Sequence, residues 1–171
     1  PAAEDMTMSA FEGFSRDLPA FLGALRANNN KAWFDANRKR YEAVCLEPAK
    51  RFVEAIAPAL ATVSPAISAE PRVNGAIMRI NRDIRFSKDK TPYHTHLHLL
   101  WALPGLPDSG FFFGVSTEYI TLGGGTMAFA GDRLDRWRRA VDGPEGAEIA
   151  ARIASLSPDF APRAPELKRV P

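Results

Sequence analysis

A chain of 171 residues with 46% hydrophobic and 25% charged residues has the composition of one globular domain. Its formal net charge of +2 is too small to indicate a general nucleic-acid or membrane-surface binder. No apolar run is long enough to span a membrane, and the first residues lack the pattern of a signal peptide, so we expect no membrane partner.

The chain has one cysteine, Cys45, and therefore cannot form an internal disulfide. This cysteine usage fits a reducing compartment, so the sequence predicts a cytoplasmic protein. The glycine run Gly123–Gly125 is not followed by Lys-Ser or Lys-Thr, so it is not a P-loop. The sequence indicates neither a cofactor nor an oligomeric state.

Helical patterns fill the first part of the chain. Residues 1–10 are small and polar and predict a loose tail, followed by one domain over residues 11–171. Ser15–Asp17 predicts the start of a first helix. A second helix is predicted from Lys31 to Leu46, and Pro48 fits the first turn of a third.

The centre of the chain alternates between apolar and polar residues. The alternation from Asn74 to Phe86 predicts a half-buried strand, which Arg82 interrupts by an end or a bulge. The residues from Phe86 to Tyr93 favour a charged loop, because Ser, Asp and Thr-Pro are turn formers. A second alternation then begins at His94 and predicts a second strand.

Further strands and helices follow. Trp101–Ser109 contains three breakers and predicts a hairpin loop or a lid, and Gly110–Glu118 predicts an interior strand. The run Gly123–Gly125 predicts a hairpin turn or a bulge. Helices are predicted from about Asp132 to Val141 and from about Pro144 to Leu156, followed by a proline-rich tail without a clear element over residues 157–171.

This order of elements predicts the fold class. Helices come first, strands joined by short loops lie in the middle, and helices follow. We therefore expect a single-domain α+β fold with a mainly antiparallel central sheet and helices packed on it.

The clearest functional feature is a concentration of cations in residues 72–98, where six Arg and Lys side chains face only Asp83 and Asp89. Arginine forks and lysine ammonium groups aimed into one cleft would bind a phosphorylated or carboxylated small ligand. The alternative is a structural network of ion pairs. The candidate ligand-binding residues are Arg79, Arg82, Arg85, Lys88, Lys90, Tyr93 and His96.

Three histidines at alternate positions, His94, His96 and His98, share one face of the second strand. Such a row could bind zinc, because imidazole nitrogens are common zinc ligands. The nearby cations oppose a further positive charge, so we expect no metal and keep zinc as the alternative. His96 and Asp83 are the candidates for acid–base chemistry. No motif for nucleophilic catalysis surrounds Ser87, so the sequence leaves open whether the protein is an enzyme.

Two other classes of function stay open. The same basic residues could bind nucleic acid together with four arginines of a later helix, Arg133, Arg136, Arg138 and Arg139. In the third class, the protein is a non-catalytic interaction domain whose cationic strand is architectural.

Several motifs of the chain resemble those of the family called domain of unknown function 2461, a mostly bacterial set without an assigned activity. They are F-x-G-F at Phe11–Phe14, N-N-x-K-x-W-F ending at Phe34, the run from Arg79 to Tyr93, His96, and L-G-G-G at Leu122–Gly125. The resemblance supplies no catalytic residues. It implies a Lys more often than a His at position 94, and a chain that continues beyond the L-K-R-x-P segment at residues 167–171.

Overall fold

The computed structural model describes residues 11–106 and 108–156. It has an antiparallel sheet with helices packed on it, so the predicted α+β class is confirmed. The elements in chain order are α1 (Asp17–Ala27), α2 (Lys31–Ala36), α3 (Arg38–Tyr41), a π-helix (Glu42–Leu46), α4 (Glu47–Val63), β1 (His96–Ala102), β2 (Ser109–Ser116), β3 (Ile120–Thr126), α5 (Asp132–Val141) and α6 (Pro144–Ser155).

The helical region after α1 differs from the prediction, which placed one helix from Lys31 to Leu46 and a break before the next helix at Pro48. The break lies instead at Asn37, whose side-chain amide donates to the carbonyl of Trp33 at 2.9 Å and so competes with the helical backbone. The π-helix then leads directly into α4. A widened turn before Pro48 accommodates the missing backbone donor without a break.

The sheet has the strand order β1-β2-β3, and both neighbouring pairs are antiparallel. His98 pairs with Gly114, and Phe113 pairs with Leu122. The predicted interior strand at Gly110–Glu118 is therefore confirmed as β2. The predicted hairpin loop joins β1 to β2.

One face of the sheet forms the core. Leu97, Leu99 and Trp101 of β1 are buried together with the apolar faces of α1 and α4. The ring of Phe52 on α4 lies 6.0 Å from that of Trp101 in an edge-to-face arrangement. Because side chains alternate along a strand, His96 and His98 lie on the opposite face.

The predicted strand from Asn74 to Phe86 is not a regular strand. Asn74 takes a left-handed conformation with φ of 61° and starts a turn, after which Ile77 is buried and Met78 is exposed, opposite to the predicted alternation. Isolated bridges join Ile77 to Leu99 and Asn81 to Tyr93. The segment therefore lies along the outer edge of β1 and satisfies part of its backbone, which limits edge-to-edge pairing there.

The glycine run Gly123–Gly125 was predicted to be a turn or bulge, and that prediction is wrong. All three residues lie in β3 and pair with β2 residues. A side chain at Gly124 would place its Cβ 2.8 Å from Cδ1 of Phe111. Glycine is therefore needed there because the aromatic ring of the neighbouring strand occupies the space above it.

Contacts between Cα atoms divide the chain into residues 1–127 and residues 128–171. The second unit contains α5 and α6, which confirm the two predicted C-terminal helices. Phe129 stacks on Trp137 with ring centroids 5.0 Å apart. The predicted extent of one domain over residues 11–171 stays a prediction.

Two predictions, the loose tail at residues 1–10 and the proline-rich tail at residues 157–171, lie outside the described residues. Within the described residues, none of the helices combines the length and the apolar character that a membrane crossing requires.

We predict that Gly110→Ala lowers the free energy of unfolding by about 1–3 kcal/mol, the usual cost of overpacking. An added Cβ would lie 2.4 Å from the carbonyl oxygen of Trp101, and a backbone atom cannot move aside as a flexible side chain can. Gly123→Ala is the matched control, because a Cβ there meets nothing within 4 Å. Urea unfolding of both variants measures the difference, and equal stabilities would contradict this account.

Candidate functional site

The charged loop after Asn81 is organised by Arg82. Its Nη1 donates to Oδ2 of Asp89 at 2.6 Å and to the carbonyl oxygen of Thr91 at 2.9 Å, and it also contacts the Thr91 hydroxyl. The backbone N–H of Thr91 donates to Asp89 at 2.9 Å. Arg82 therefore closes residues 82–91 into a loop, and its side chain is only 22% exposed.

The carboxylate of Asp89 is stabilised in its ionised form. Hydrogen bonds from the backbone and hydroxyl of Thr91, and then from Arg82, lower the pKa of Asp89. Asp89 therefore keeps its negative charge at neutral pH and holds the guanidinium of Arg82 in place.

The loop is also attached to the first helices through Asn29. The side-chain amide of Asn29 donates to the carbonyl of Tyr93 at 2.8 Å, and its oxygen accepts from the N–H of Tyr93 at 3.0 Å. The ring of Tyr93 is buried and stacks on Phe34 with centroids 4.1 Å apart. Asn30 is the cap residue of α2, because its side chain accepts from the N–H of Trp33 at 3.0 Å.

A cleft of about 360 Å³, open to solvent, lies between the end of α1 and the loop. Its lining combines two arginines and one carboxylate with neutral polar and aromatic groups. The lining residues are Arg26, Asn29, Arg82, Asp89, Thr91, Tyr93, His94, Thr95 and His96.

The three histidines form a stack along β1 and the residues before it. The ring centroids of His94 and His96 are 4.8 Å apart, and those of His96 and His98 are 3.6 Å apart with an interplanar angle of 14°. Nε2 of His98 lies 2.8 Å from the hydroxyl of Tyr119. The predicted common face of these histidines is therefore correct, and two of the three line the cleft.

Burial lowers the pKa of all three imidazoles of this stack and so favours their neutral form. Burial lowers the pKa of His96 to about 4, and the neighbouring His98 and His94 lower it further in the same direction. Burial also lowers the pKa of His94, with additional contributions from Arg82 and Arg79. Arg82 of the loop and Arg79 before it thus act on the cleft wall, although Arg79 does not itself line the cleft.

The stack does not resemble a metal site. Nitrogen lone pairs lie in the ring plane, so parallel stacked imidazoles aim them side by side rather than at one point. In the described part of the chain, no group of three or more His, Cys, Asp or Glu side chains is arranged to hold a metal ion. The stacked geometry therefore disfavours the metal alternative at His94, His96 and His98.

The structure separates the predicted ligand-binding residues into two groups. Arg82, Tyr93 and His96 line the cleft. Arg85 lies outside it, where its Nε and Nη2 donate to the carboxylate of Asp83 at 3.0 and 2.7 Å. The remaining predicted cations, which are not cleft-lining, are Arg79, Lys88 and Lys90.

The two acid–base candidates differ in position. Asp83 is exposed and outside the cleft, and its hydrogen bonds with Arg85 lower its pKa, so it is a structural partner of that arginine. His96 lies in the cleft as a neutral imidazole that can donate or accept a hydrogen bond. A pKa of about 4 is far from the value near 7 that suits a general acid or base.

Sequence reasoning missed several cleft residues. Arg26 belongs to α1, is far from the loop in sequence, and pairs with Glu118 at 2.5 Å. Asn29 contacts Tyr93 across 64 residues of the chain, and its place in the N-N-x-K-x-W-F motif is the one sequence signal that points to it. Thr91 and Thr95 carried no signal, because single threonines near turns are common.

One family model, described as "Conserved hypothetical protein (DUF2461)", matches residues 17–171. The chain belongs to this family, so the resemblance noted from its motifs is confirmed. No curated protein and no solved structure is significantly similar to the chain.

We predict that Asn29→Ala lowers the free energy of unfolding by about 1–3 kcal/mol, because the backbone N–H and C=O of buried Tyr93 lose their partner. Asn28→Ala is the control, since the Asn28 amide donates only to Ala24 at the exposed end of α1. Chemical denaturation measures both variants. A similar loss in the two would remove Asn29 from its assigned role.

The histidine stack predicts a pH dependence of stability. The unfolded imidazole of His96 titrates near 6.5 and the folded one near 4, so between these values the unfolded state binds more protons. The contribution of His96 to the free energy of unfolding is therefore fully present above about pH 6.5 and is lost as the pH falls towards 4. In His96→Gln, unfolding free energies measured over this range should depend less on pH than in the wild type, and an unchanged dependence would contradict the assignment.

Proposed function

We propose that this member of the DUF2461 family binds a small anionic ligand, phosphorylated or carboxylated, in the cleft beside Arg82. The observation that carries the proposal is which nitrogens of this guanidinium form hydrogen bonds within the protein. All its side-chain hydrogen bonds to described residues use Nη1, which Asp89 and Thr91 hold in place. The other guanidinium nitrogens are left for a ligand, and a fork fixed in advance loses little entropy on binding.

The charges around the cleft support an anionic ligand. Arg82 and Arg26 line it, and Arg79 acts electrostatically on His94 at its wall. Asp89 is the single carboxylate of the lining, and its hydrogen bonds already involve Arg82 and Thr91. Since Asp89 pairs with Arg82 and Glu118 pairs with Arg26, the attraction for an anion would come from the nitrogens of Arg82 that Asp89 leaves unused and from the nearby charge of Arg79.

Neutral groups would orient the ligand. The imidazoles of His94 and His96 and the hydroxyl of Thr95 are side chains of the lining that can donate or accept hydrogen bonds without adding charge. Tyr93 contributes mainly through its backbone attachment and its stacked ring, because its side chain is buried.

No reaction is assigned to the cleft. An acid–base mechanism would need a group with a pKa near neutrality, and His96 is held well below that range. A binding role therefore accounts for the geometry with fewer assumptions than catalysis. The proposed location is cytoplasmic, supported by the single cysteine, which is buried and unpaired.

The test is a titration with inorganic phosphate, sulfate and a nucleoside monophosphate, followed by isothermal calorimetry and by thermal shift at constant ionic strength. We predict that Arg82→Lys raises the Kd of the anion that binds by roughly 10- to 150-fold, since a charged hydrogen bond contributes about 1.5–3 kcal/mol.

Arg85→Lys is the matched control, because Arg85 is 76% exposed and pairs with Asp83 outside the cleft. It should keep the anion affinity of the wild type. Thr95→Val, a second lining substitution of similar size, should weaken binding without removing the Arg82 network. A wild type that no anion stabilises beyond general salt effects would refute the proposal and leave the cations an architectural role.

A further inference from the structure

The loop that Arg82 closes also presents an aromatic ring to solvent. Phe86 is 95% exposed, the highest value among the large hydrophobic side chains that are exposed in the described residues. Leaving a phenylalanine in water forgoes about 1.5–3 kcal/mol of burial. Single exposed apolar residues are common, so exposure alone carries no argument.

The backbone and neighbours of Phe86 are held in place, however. Arg85 makes a bidentate pair with Asp83, and its guanidinium carbon lies 5.8 Å from the centroid of the Phe86 ring. The ammonium of Lys90 donates to the carbonyl of Ile84 at 2.9 Å. The ring is therefore carried on a loop with internal restraints, which reduces the entropy lost when a partner binds.

The loop and its base have an excess of positive charge. Five cations face the two carboxylates of Asp83 and Asp89, which leaves three positive charges. Both carboxylates are already bound by Arg85 and Arg82. Among the described residues, Arg79 and Lys88 have no ion-pair partner, so they are free to meet an external anion.

A partner must therefore supply both a planar apolar surface and repeated negative charge. Single-stranded nucleic acid supplies both, since its unpaired bases stack on aromatic side chains and its phosphates attract cations. A duplex keeps its bases stacked inside, and a bilayer requires more apolar anchorage than one ring offers. Phosphate contacts alone would not account for an exposed phenylalanine at the centre of the loop.

We propose that the loop of residues 82–91 binds single-stranded nucleic acid, with Phe86 stacking on an unpaired base and Arg79, Lys88 and Lys90 neutralising phosphates. This role is separate from the small-ligand site of the cleft. It involves side chains that do not line the cleft, so each role can fail without the other.

The test is fluorescence anisotropy with labelled twelve-nucleotide oligo-dT and oligo-U at low salt. These two arms distinguish DNA from RNA, and a duplex of the same length serves as comparison. Phe86→Ala should weaken binding by about 5- to 150-fold, the range of one base stack. Phe86→Trp should retain binding, whereas Phe86→Leu, which is apolar but cannot stack in this way, should weaken it. Met127→Ala, at a side chain that is 88% exposed, is the control for loss of an exposed apolar group.

A second measurement tests the charges. Lys88→Ala should reduce the slope of log K against log salt by about 0.7, the value for one phosphate contact with a single strand. Lys39→Ala, at an exposed lysine of α3, is the matched control and should leave the slope unchanged.

Three results would overturn the proposal. They are no binding to either oligonucleotide, equal affinity for the duplex, or a Phe86→Leu variant that binds as well as the wild type. Circular dichroism establishes that each variant is folded, and phosphate titration of Phe86→Ala keeps the outcome separate from that of the cleft. Binding to phosphatidylserine vesicles in the absence of oligonucleotide binding would identify a membrane surface instead and would equally refute it.

Discussion

The fixed position of the Arg82 guanidinium is the constraint on which both proposed sites depend. Asp89 and Thr91 hold one nitrogen of this group, and this contact brings the two ends of the loop together. The cleft wall lies on one side of the closure, and the exposed ring of Phe86 is carried by the loop itself. An ion pair at a surface contributes little to the free energy of unfolding. The importance of the Arg82–Asp89 pair is that it fixes the shape of the loop.

The sequence predicted the elements that local patterns determine. The helices α5 and α6, the strand β2 and the common face of the histidines follow from periodicity within a few residues. The prediction of a strand from Asn74 to Phe86 was wrong, because a left-handed turn at Asn74 and pairing with the edge of β1 override the local alternation. The prediction of a turn at the glycine run was wrong, because glycine is needed there to make room for the ring of Phe111. This ring is close in space but not in sequence.

The candidate site was predictable only in part, for a similar reason. The density of cations identified the correct segment of the chain, yet charge counting could not tell Arg82, which lines the cleft, from Arg85, which pairs with Asp83 outside it. That difference is decided by loop closure. Asn29 lies 64 residues from Tyr93 in the sequence, and contacts at such separation leave no periodic pattern to read.

The neutral histidine stack has a consequence for how the cleft responds to its surroundings. Because burial lowers the pKa of both His94 and His96, the neutral form of these imidazoles is favoured at pH 7, and they add little charge to the cleft. Modest acidification or alkalinisation around neutrality would then leave the protein's contribution to ligand attraction unchanged. Any variation with proton concentration would originate in the ligand, so the pH profile of binding would report the ionisation state of the molecule that the protein selects.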